Sequence, residues 1–347
     1  MEKNTFYFAP AYPKNPPKSS GMTAVCVRRA TEEFPFLHDT SVTLLGGRLF
    51  TAWYQCTAGE IAGITQIAGT WSDDGGRTWS EPEVVVGDSA YHYVPAVFYE
   101  TADGIFALVT RMTAHDRPVN VLELTYSDGK WIPHRDHDIR FLFNTTPRQL
   151  SDGTWISGGR VSPKAGELPQ IPAAAVRDIA GNWTIQRFDG PWNDGNFVLY
   201  CPETAILVSE NDRRAIVRSD HGQPYTFRCA EGRWTFTGET DLPVHSAKMY
   251  AGTLSDGRDY LFYNERTRQN DRSRLVMALR EDASGCSDGF TKLYLIADGY
   301  DDQLRCGPYW HYPCAYEQKG MLYVSCTANG PDNVRDAVVY RIPIDSL

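Results

Sequence analysis

The chain has 347 residues, is 42% hydrophobic and 22% charged, and carries a formal net charge of −9. These are globular values, which exclude wholesale disorder. No run approaches 18 consecutive apolar residues, so no membrane span is expected, and no Lys/Arg-rich stretch offers a nucleic-acid surface. Gly (29), Pro (21), Tyr (19) and Trp (9) are plentiful, a mixture that favours many short strands joined by turns.

The opening segment, residues 1–35, contains Pro10, Pro13, Pro16 and Pro17 and cannot be helical. It has no apolar signal-like core, so the expected location is cytoplasmic as given, or secreted or periplasmic if a signal has been removed. From there one unit recurs: a lead-in, a strand, a Gly/Asp turn and a second apolar strand. It reads VTLLGGRLFTAWY from Val42, AVFYETADGIFALVTRM from Ala96 and PRQLSDGTWISGGRV from Pro147. It continues as TAILVSENDRRAIVRS from Thr204, AGTLSDGRDYLFYNE from Ala251 and YEQKGMLYVSCTANG from Tyr316. Each is a β-hairpin by its turn chemistry and its Val, Ile, Tyr and Phe content.

Lead-ins near His38, Tyr91, Asn144, Phe197, His245 and Arg305 lie 53, 53, 53, 48 and 60 residues apart. A period of roughly 50 residues suits one four-stranded blade. The expected fold is all-β, a six-bladed β-propeller forming one domain over 1–347. Residues 1–35 close or flank the ring, with strands near either terminus sharing a blade. Eight scattered cysteines form no C-x-x-C pair and no zinc spacing, and read as buried reduced thiols. No metal and no cofactor are expected. N-T-T at Asn144 and N-W-T at Asn182 match the glycosylation pattern, a match that arises often by chance.

The first unit ends in Ser72-Asp73-Asp74-Gly75-Gly76-Arg77-Thr78-Trp79, matching S-x-D-x-G-x-T-W at every specified position. Asp74 can accept backbone N–H bonds, Gly76 can take positive φ and Trp79 can anchor the turn. This Asp-box is therefore structural. Decayed copies stand at Ser127–Trp131, Asp178–Trp183, Gly232–Trp234 and 282–289.

With its six-fold repeat, the chain resembles the sialidase superfamily, the BNR-repeat proteins, over about residues 36–345. The resemblance implies guanidinium groups that pair a sugar carboxylate, and a tyrosine nucleophile activated by a glutamate. Glu203 in CPETAILVSENDRRAIVRS, with Arg218 across a hairpin, is similar to the family's activating glutamate and one triad arginine. Arg272 in R-S-R-L matches a second arginine, with Arg274 as rival, and Tyr312 falls where the nucleophile stands. Pro313 replaces the usual serine after it. Glu60 occupies the place of the acid/base carboxylate, where it can serve as acid if its pKa is raised.

The family's first arginine, in an R-I-P motif, is missing; the aligned stretch carries His38 and Asp39. Arg28, Arg111 or Arg148 is the expected substitute. Arg111 and Arg160 stand in units two and three where Arg218 stands in unit four, suggesting a cationic mouth. The lead-in residues His92, Arg148, His245, Lys248 and His311 are expected to point the same way. The expected catalytic set is Tyr312, Glu203 and Glu60; the expected substrate-binding set is Arg218, Arg272, His38, Asp39, Arg111, Arg148 and His311.

The leading expectation is a retaining exo-glycoside hydrolase acting on an acidic terminal sugar of a glycan. The missing arginine and the histidine supply leave open a uronate- or rhamnose-polysaccharide lyase or hydrolase, or a non-catalytic sugar-binding propeller. The expected partner is a carbohydrate; the oligomeric state is left open.

Overall fold

The computed structural model describes Phe8 and residues 12–162, 170–190, 199, 201–208, 212–220, 223–266, 271–281 and 289–347. Among these, no α-helix occurs, and 25 strands make six antiparallel blades. Blade one is β2 (Phe36–Leu45), β3 (Arg48–Cys56), β4 (Thr65–Ser72) and β5 (Glu83–Val86), following an early strand β1 (Thr23–Arg28). Blade two is β6 (His92–Thr101), β7 (Gly104–Met112), β8 (Pro118–Ser127) and β9 (Lys130–His137). In blade three the inner strand is split into β10 (Phe141–Phe143) and β11 (Arg148–Gln149), both paired with β12 (Trp155–Val161). β13 (Ile171–Arg177) and β14 (Trp183–Asp189) complete it.

Blade four is β15 (Thr204–Val208), β16 (Arg213–Val217), β17 (Tyr225–Ala230) and β18 (Arg233–Glu239). Blade five is β19 (Tyr250–Thr253), β20 (Asp259–Asn264), β21 (Arg274–Leu279) and β22 (Lys292–Asp298). Blade six holds β23 (Tyr309–Gln318), β24 (Met321–Asn329) and β25 (Arg335–Pro343). Its fourth strand is β1, which pairs antiparallel with β25 from Thr23↔Arg341 to Arg28↔Ala337. The two ends of the sequence thus share a blade. Contacts around the centre run β2 to β6, β6 to β10, β12 to β15, β15 to β19, β19 to β23 and β23 back to β2. The molecule is a closed six-bladed β-propeller.

Each blade is covered on both faces by its neighbours, so its strands read as near-continuous apolar runs rather than alternating ones. In β20 every residue is buried. Apolar clusters fill the blade junctions: Phe50, Trp71, Phe98 and Leu124 between blades one and two, and Phe188, Ile206, Phe227 and Trp234 between three and four. Seven free thiols occur among the described residues, four buried and three partly so. Asn144 is buried and accepts the Thr204 N–H, which excludes it as a glycan acceptor in the folded chain.

The Asp-box joins β4 to β5. Asp74 Oδ1 accepts the Arg77 and Thr78 N–H groups, both at 2.9 Å, and its Oδ2 takes the Thr78 hydroxyl at 2.7 Å. Gly76 sits at φ 76°, where a Cβ is costly. The same third-to-fourth-strand turn carries Asp128 in blade two, Asp178 in blade three and Gly232 in blade four. Trp131, Trp183 and Trp234 follow those turns, Trp183 being buried and Trp234 fully so. The fifth copy, 282–289, lies outside the described residues except for Gly289.

Three inner strands are interrupted at one level. The register shifts between His38 and Ser41 in β2, Tyr93 and Ala96 in β6, and His311 and Cys314 in β23. Such bulges re-aim side chains at barrel and propeller mouths. Asp39 (φ 50°) and Tyr312 (φ 58°) adopt the left-handed conformation there. Pro313 falls inside the interruption, where no ladder N–H is needed.

Candidate active site

A cavity of about 240 Å³ opens at this level. Every blade contributes to it from one equivalent place, the hairpin joining its second and third strands. Blade one supplies Glu60, blade two His115 and Asp116, and blade three Arg160; blades four, five and six supply Arg218, Arg272 and Arg335. From the bulged inner strands come His38, Asp39, Val94, Pro95 and Tyr312.

At the floor, the Tyr312 hydroxyl donates to Glu203 Oε1 at 2.6 Å. Glu203 is 2% exposed and its other oxygen takes Arg218 Nη1 at 2.8 Å. Arg160 Nη1 stands 3.9 Å from the same carboxylate. Burial pushes the Glu203 pKa up, but Arg218 and Arg160, with hydrogen bonds from Arg218 and Tyr312, outweigh it and hold the carboxyl below its usual range. The Tyr312 phenol moves the other way. Burial, then the Glu203 charge, drives it well above 10, against the pull of Arg218 and Arg272. The pair is therefore a neutral phenol donating to an ionised carboxylate.

The cations are anchored separately. Arg218 Nε donates to Ser246 Oγ at 3.1 Å. Arg272 donates to the Ser246 carbonyl at 3.2 Å and lies 3.0 Å from His311 Nδ1. Arg335 lies over the Phe36 ring, 4.0 Å from its centroid, and its Nε donates to Asn333 at 3.1 Å. Arg335 Nη1 and Arg160 Nη1 are buried without a hydrogen-bond partner among the described residues. Orphaned buried donors carry a cost that an anionic ligand relieves. Lys248 forms a buried ion pair with Asp39 and lies 5.4 Å from the Tyr312 ring centroid.

Glu60 sits at the rim, 3.9 Å from His115 Nε2 and 3.8 Å from Arg335 Nη2. Burial pushes its pKa up, yet His115 and Arg335 leave it below the usual glutamate value. An acid role requires a raised pKa, and the shift at Glu60 runs the other way.

Tyr312, Glu203, Glu60, Arg218, Arg272, His38 and Asp39 thus line one cavity. His311 is buried behind Arg272 and does not line it. Arg272 rather than Arg274 faces the cavity; Arg274 pairs with Glu265 and Asp298.

Two more expected binding residues lie outside the cavity. Strand alternation turns Met112 into the cavity and Arg111 away from it, onto Asp136 and the Tyr91 ring. Arg148 stands on β11, opposite Ile156, whereas Arg160 stands opposite Leu142 at the mouth. Those four positions of β12 put Arg148 about 13 Å deeper, where it is half-buried and donates to the Ala251 carbonyl. Arg28 lies on the outer strand β1, and Arg29 beside it pairs with Asp336. His92 binds Thr65 Oγ1 at 3.1 Å.

The expected substitute for the first arginine is none of Arg28, Arg111 and Arg148. Arg335, next to Phe36, and Arg160 line the cavity with Arg218 and Arg272. Arg335, His115 and Asp116 were not anticipated. Arg335 opens the third strand of blade six, opposite Asn329, so the arginines noted at the ends of second strands in units two to four did not point to it.

Residues 47–324 match the family model of the BNR repeat-like domain. No curated protein sequence matches. Among solved structures, a protein of unknown function from Dyadobacter fermentans superposes with a TM-score of 0.68 at 14% identity, covering 93% of this chain and 99% of that one. The NanB sialidase of Streptococcus pneumoniae, as its K499G mutant, gives 0.71 at 12% identity, covering 92% of this chain and 70% of that one. Trypanosoma rangeli sialidase with 2,3-difluorosialic acid, a covalent intermediate, gives 0.69 at 12% identity over 95% of this chain. This chain spans 60% of that sialidase's length. Repeat, blade count, Asp-box turns and the family match over most of the sequence agree: the chain belongs to the BNR repeat-like domain family.

Proposed function

We propose that the protein is a retaining exo-glycoside hydrolase that removes an acidic terminal sugar from a glycan. The observation that carries this reading is the Tyr312–Glu203 pair, 2.6 Å apart beneath a cavity edged by four arginines. A neutral phenol can approach an anomeric carbon that bears a carboxylate without like-charge repulsion. Glu203, kept ionised by Arg218 and Arg160, is ready to take the phenolic proton as the Tyr312 oxygen attacks. Arg218, Arg272 and Arg335 hold the sugar carboxylate, and the rim around Glu60 faces the departing group. The covalent intermediate named for the Trypanosoma rangeli sialidase supports a two-step course on this fold.

The cavity volume suits a single sugar, consistent with attack at a chain end. The histidines that favour a lyase are poorly disposed. Burial pushes His38 and His311 well below the usual imidazole range, with Arg335 and Arg272 among the causes, and His311 is outside the cavity.

The test is release of the fluorophore from an aryl sialoside, with the anomer formed first identified by NMR. Turnover with retention is expected, and Tyr312→Phe should abolish it. An active Tyr312→Phe variant overturns the nucleophile assignment. An unsaturated uronate product, detected by absorbance, replaces the hydrolase reading with the lyase one. Sugar binding without turnover leaves the binding-module reading.

A further inference from the structure

Departure of the glycosidic oxygen needs a proton, and Glu60, held below the usual glutamate range by His115 and Arg335, is poorly placed to give one. The residue beside it carries one. His115 lies in the tight turn between β7 and β8, closed by Thr113 N–H to the Arg117 carbonyl at 3.2 Å and Arg117 N–H to the Ala114 carbonyl at 3.0 Å. Asp116 adopts the left-handed conformation, φ 56°. Its carboxylate reaches back to the preceding ring, with Oδ2 3.1 Å from His115 Nδ1. Its other oxygen takes Arg160 Nη2 at 3.0 Å. Nδ1 is therefore fixed as a donor, and Nε2 is turned to the rim, 3.9 Å from Glu60 Oε1. The ring lines the cavity and its side chain is 54% exposed, where an aglycone leaves.

We propose that His115 is the acid–base residue of this site, with Asp116 and Arg160 as positioning residues and Glu60 as the carboxylate that keeps the imidazole charged. This rests on the hydrolase reading. In the first half-reaction the Tyr312 oxygen bonds to the anomeric carbon and its proton passes to Glu203. The glycosidic C–O bond breaks, and the leaving oxygen takes the proton from His115 Nε2. In the second, water attacks the anomeric carbon and gives its proton to His115, while Tyr312 departs and recovers its proton from Glu203. Every proton is returned.

The charges facing the ring are Glu60 and Asp116, with Arg335 behind the first and Arg160 and Arg218 behind the second. Asp116, then Glu60, raises the His115 pKa to about 10, so the ring is a full imidazolium at neutral pH. Such an acid is a reluctant donor until a substrate oxygen comes between Nε2 and Glu60 and weakens that pairing, bringing the value toward the working pH.

The test has two readouts. In ¹⁵N-histidine spectra of the ligand-free enzyme near pH ~7.5, the resonance lost in His115→Gln should show both ring nitrogens protonated. A neutral ring overturns the proposal alone, without reference to turnover. The second readout compares an alkyl sialoside with an aryl sialoside whose activated leaving group needs no proton. His115→Gln should lower kcat/KM roughly 100-fold or more on the alkyl substrate, and several-fold at most on the aryl one. Equal losses on both, or none on either, overturn the proposal. So does a leaving-group-dependent loss found in Glu60→Gln but not in His115→Gln. Wild-type inertness toward both substrates overturns the hydrolase reading and this proposal with it, and is told apart because the aryl substrate requires no acid.

Discussion

The outer turns and the mouth hairpins are both recurring positions of one repeat, and they have diverged in opposite ways. The turn between third and fourth strands keeps one chemistry where it is kept best: an Asx-type turn followed by a tryptophan, as at Asp74 with the partly buried Trp79 and at Asp178 with the buried Trp183. At the hairpin between second and third strands the six blades present Glu60, His115 with Asp116, Arg160, Arg218, Arg272 and Arg335. An outer turn solves the same local problem in each of the first four blades, so one solution suffices. The mouth is shared by all six blades, so each position is free to take a different part in one site. Stability and chemistry should therefore separate cleanly between the two regions.

The largest separation is expected at Tyr312. Replacing it by Phe removes one hydroxyl and should lower kcat/KM by about 10³-fold or more, since the nucleophile is lost, while the denaturant midpoint moves little. A variant that unfolds more readily and still turns over would break the comparison from the catalytic side. At the other pole, Trp234 is fully buried against Phe188 and Phe227. Trp234→Ala should cost about 3–5 kcal/mol of stability, read from urea unfolding, with kcat/KM unchanged under folding conditions. A matching fall in kcat/KM would show that the turns shape the site.

Arg335 sharpens the contrast inside the mouth. Charge-assisted hydrogen bonds contribute roughly 1.5–3 kcal/mol each, so Arg335→Ala should weaken a sialic acid transition-state mimic by about 10- to 100-fold, measured by calorimetry. Loss of stability should be modest: Nη1 has no hydrogen-bond partner among the described residues to lose, and what goes with the side chain is the Phe36 contact and the Nε bond to Asn333. Unchanged binding would take Arg335 out of the set that holds the sugar carboxylate.

These regions also mark what was legible beforehand. The Asp-box closes within eight consecutive residues, so its turn could be read from composition at each position. Glu203 and Arg218 are fifteen residues apart and meet across one hairpin, again a local pattern. Tyr312 and Glu203 are 109 apart, and only the resemblance to a known family joined them. Arg148 was misplaced because the inner strand of blade three breaks between β10 and β11, which no periodicity reports. Arg111 was misplaced by a single step of strand parity beside Met112. His115 and Asp116 stand in a five-residue turn whose geometry depends on a left-handed Asp116, and spacing does not encode that.

The smallest expected effect is also the most local. Asp74 is partly exposed, and its pKa is held below the usual aspartate value chiefly by the Thr78 N–H and hydroxyl, then by Ser72 and Arg77. A depressed folded-state value means the unfolded chain binds the proton more readily, so the contribution is fully present above the unfolded pKa of about 3.9 and fades as pH falls toward the folded value. Melting temperatures of wild type and Asp74→Asn should differ slightly at pH ~7. The amide keeps one acceptor for the turn and cannot titrate, so the gap should narrow as the pH drops through ~4 toward ~2. Because every partner of Asp74 lies within four residues of it, the same titration should leave the mouth untouched. A sialic acid mimic bound equally by both proteins across that range is the expected result, and divergence in binding would tie the outer turn to the site after all.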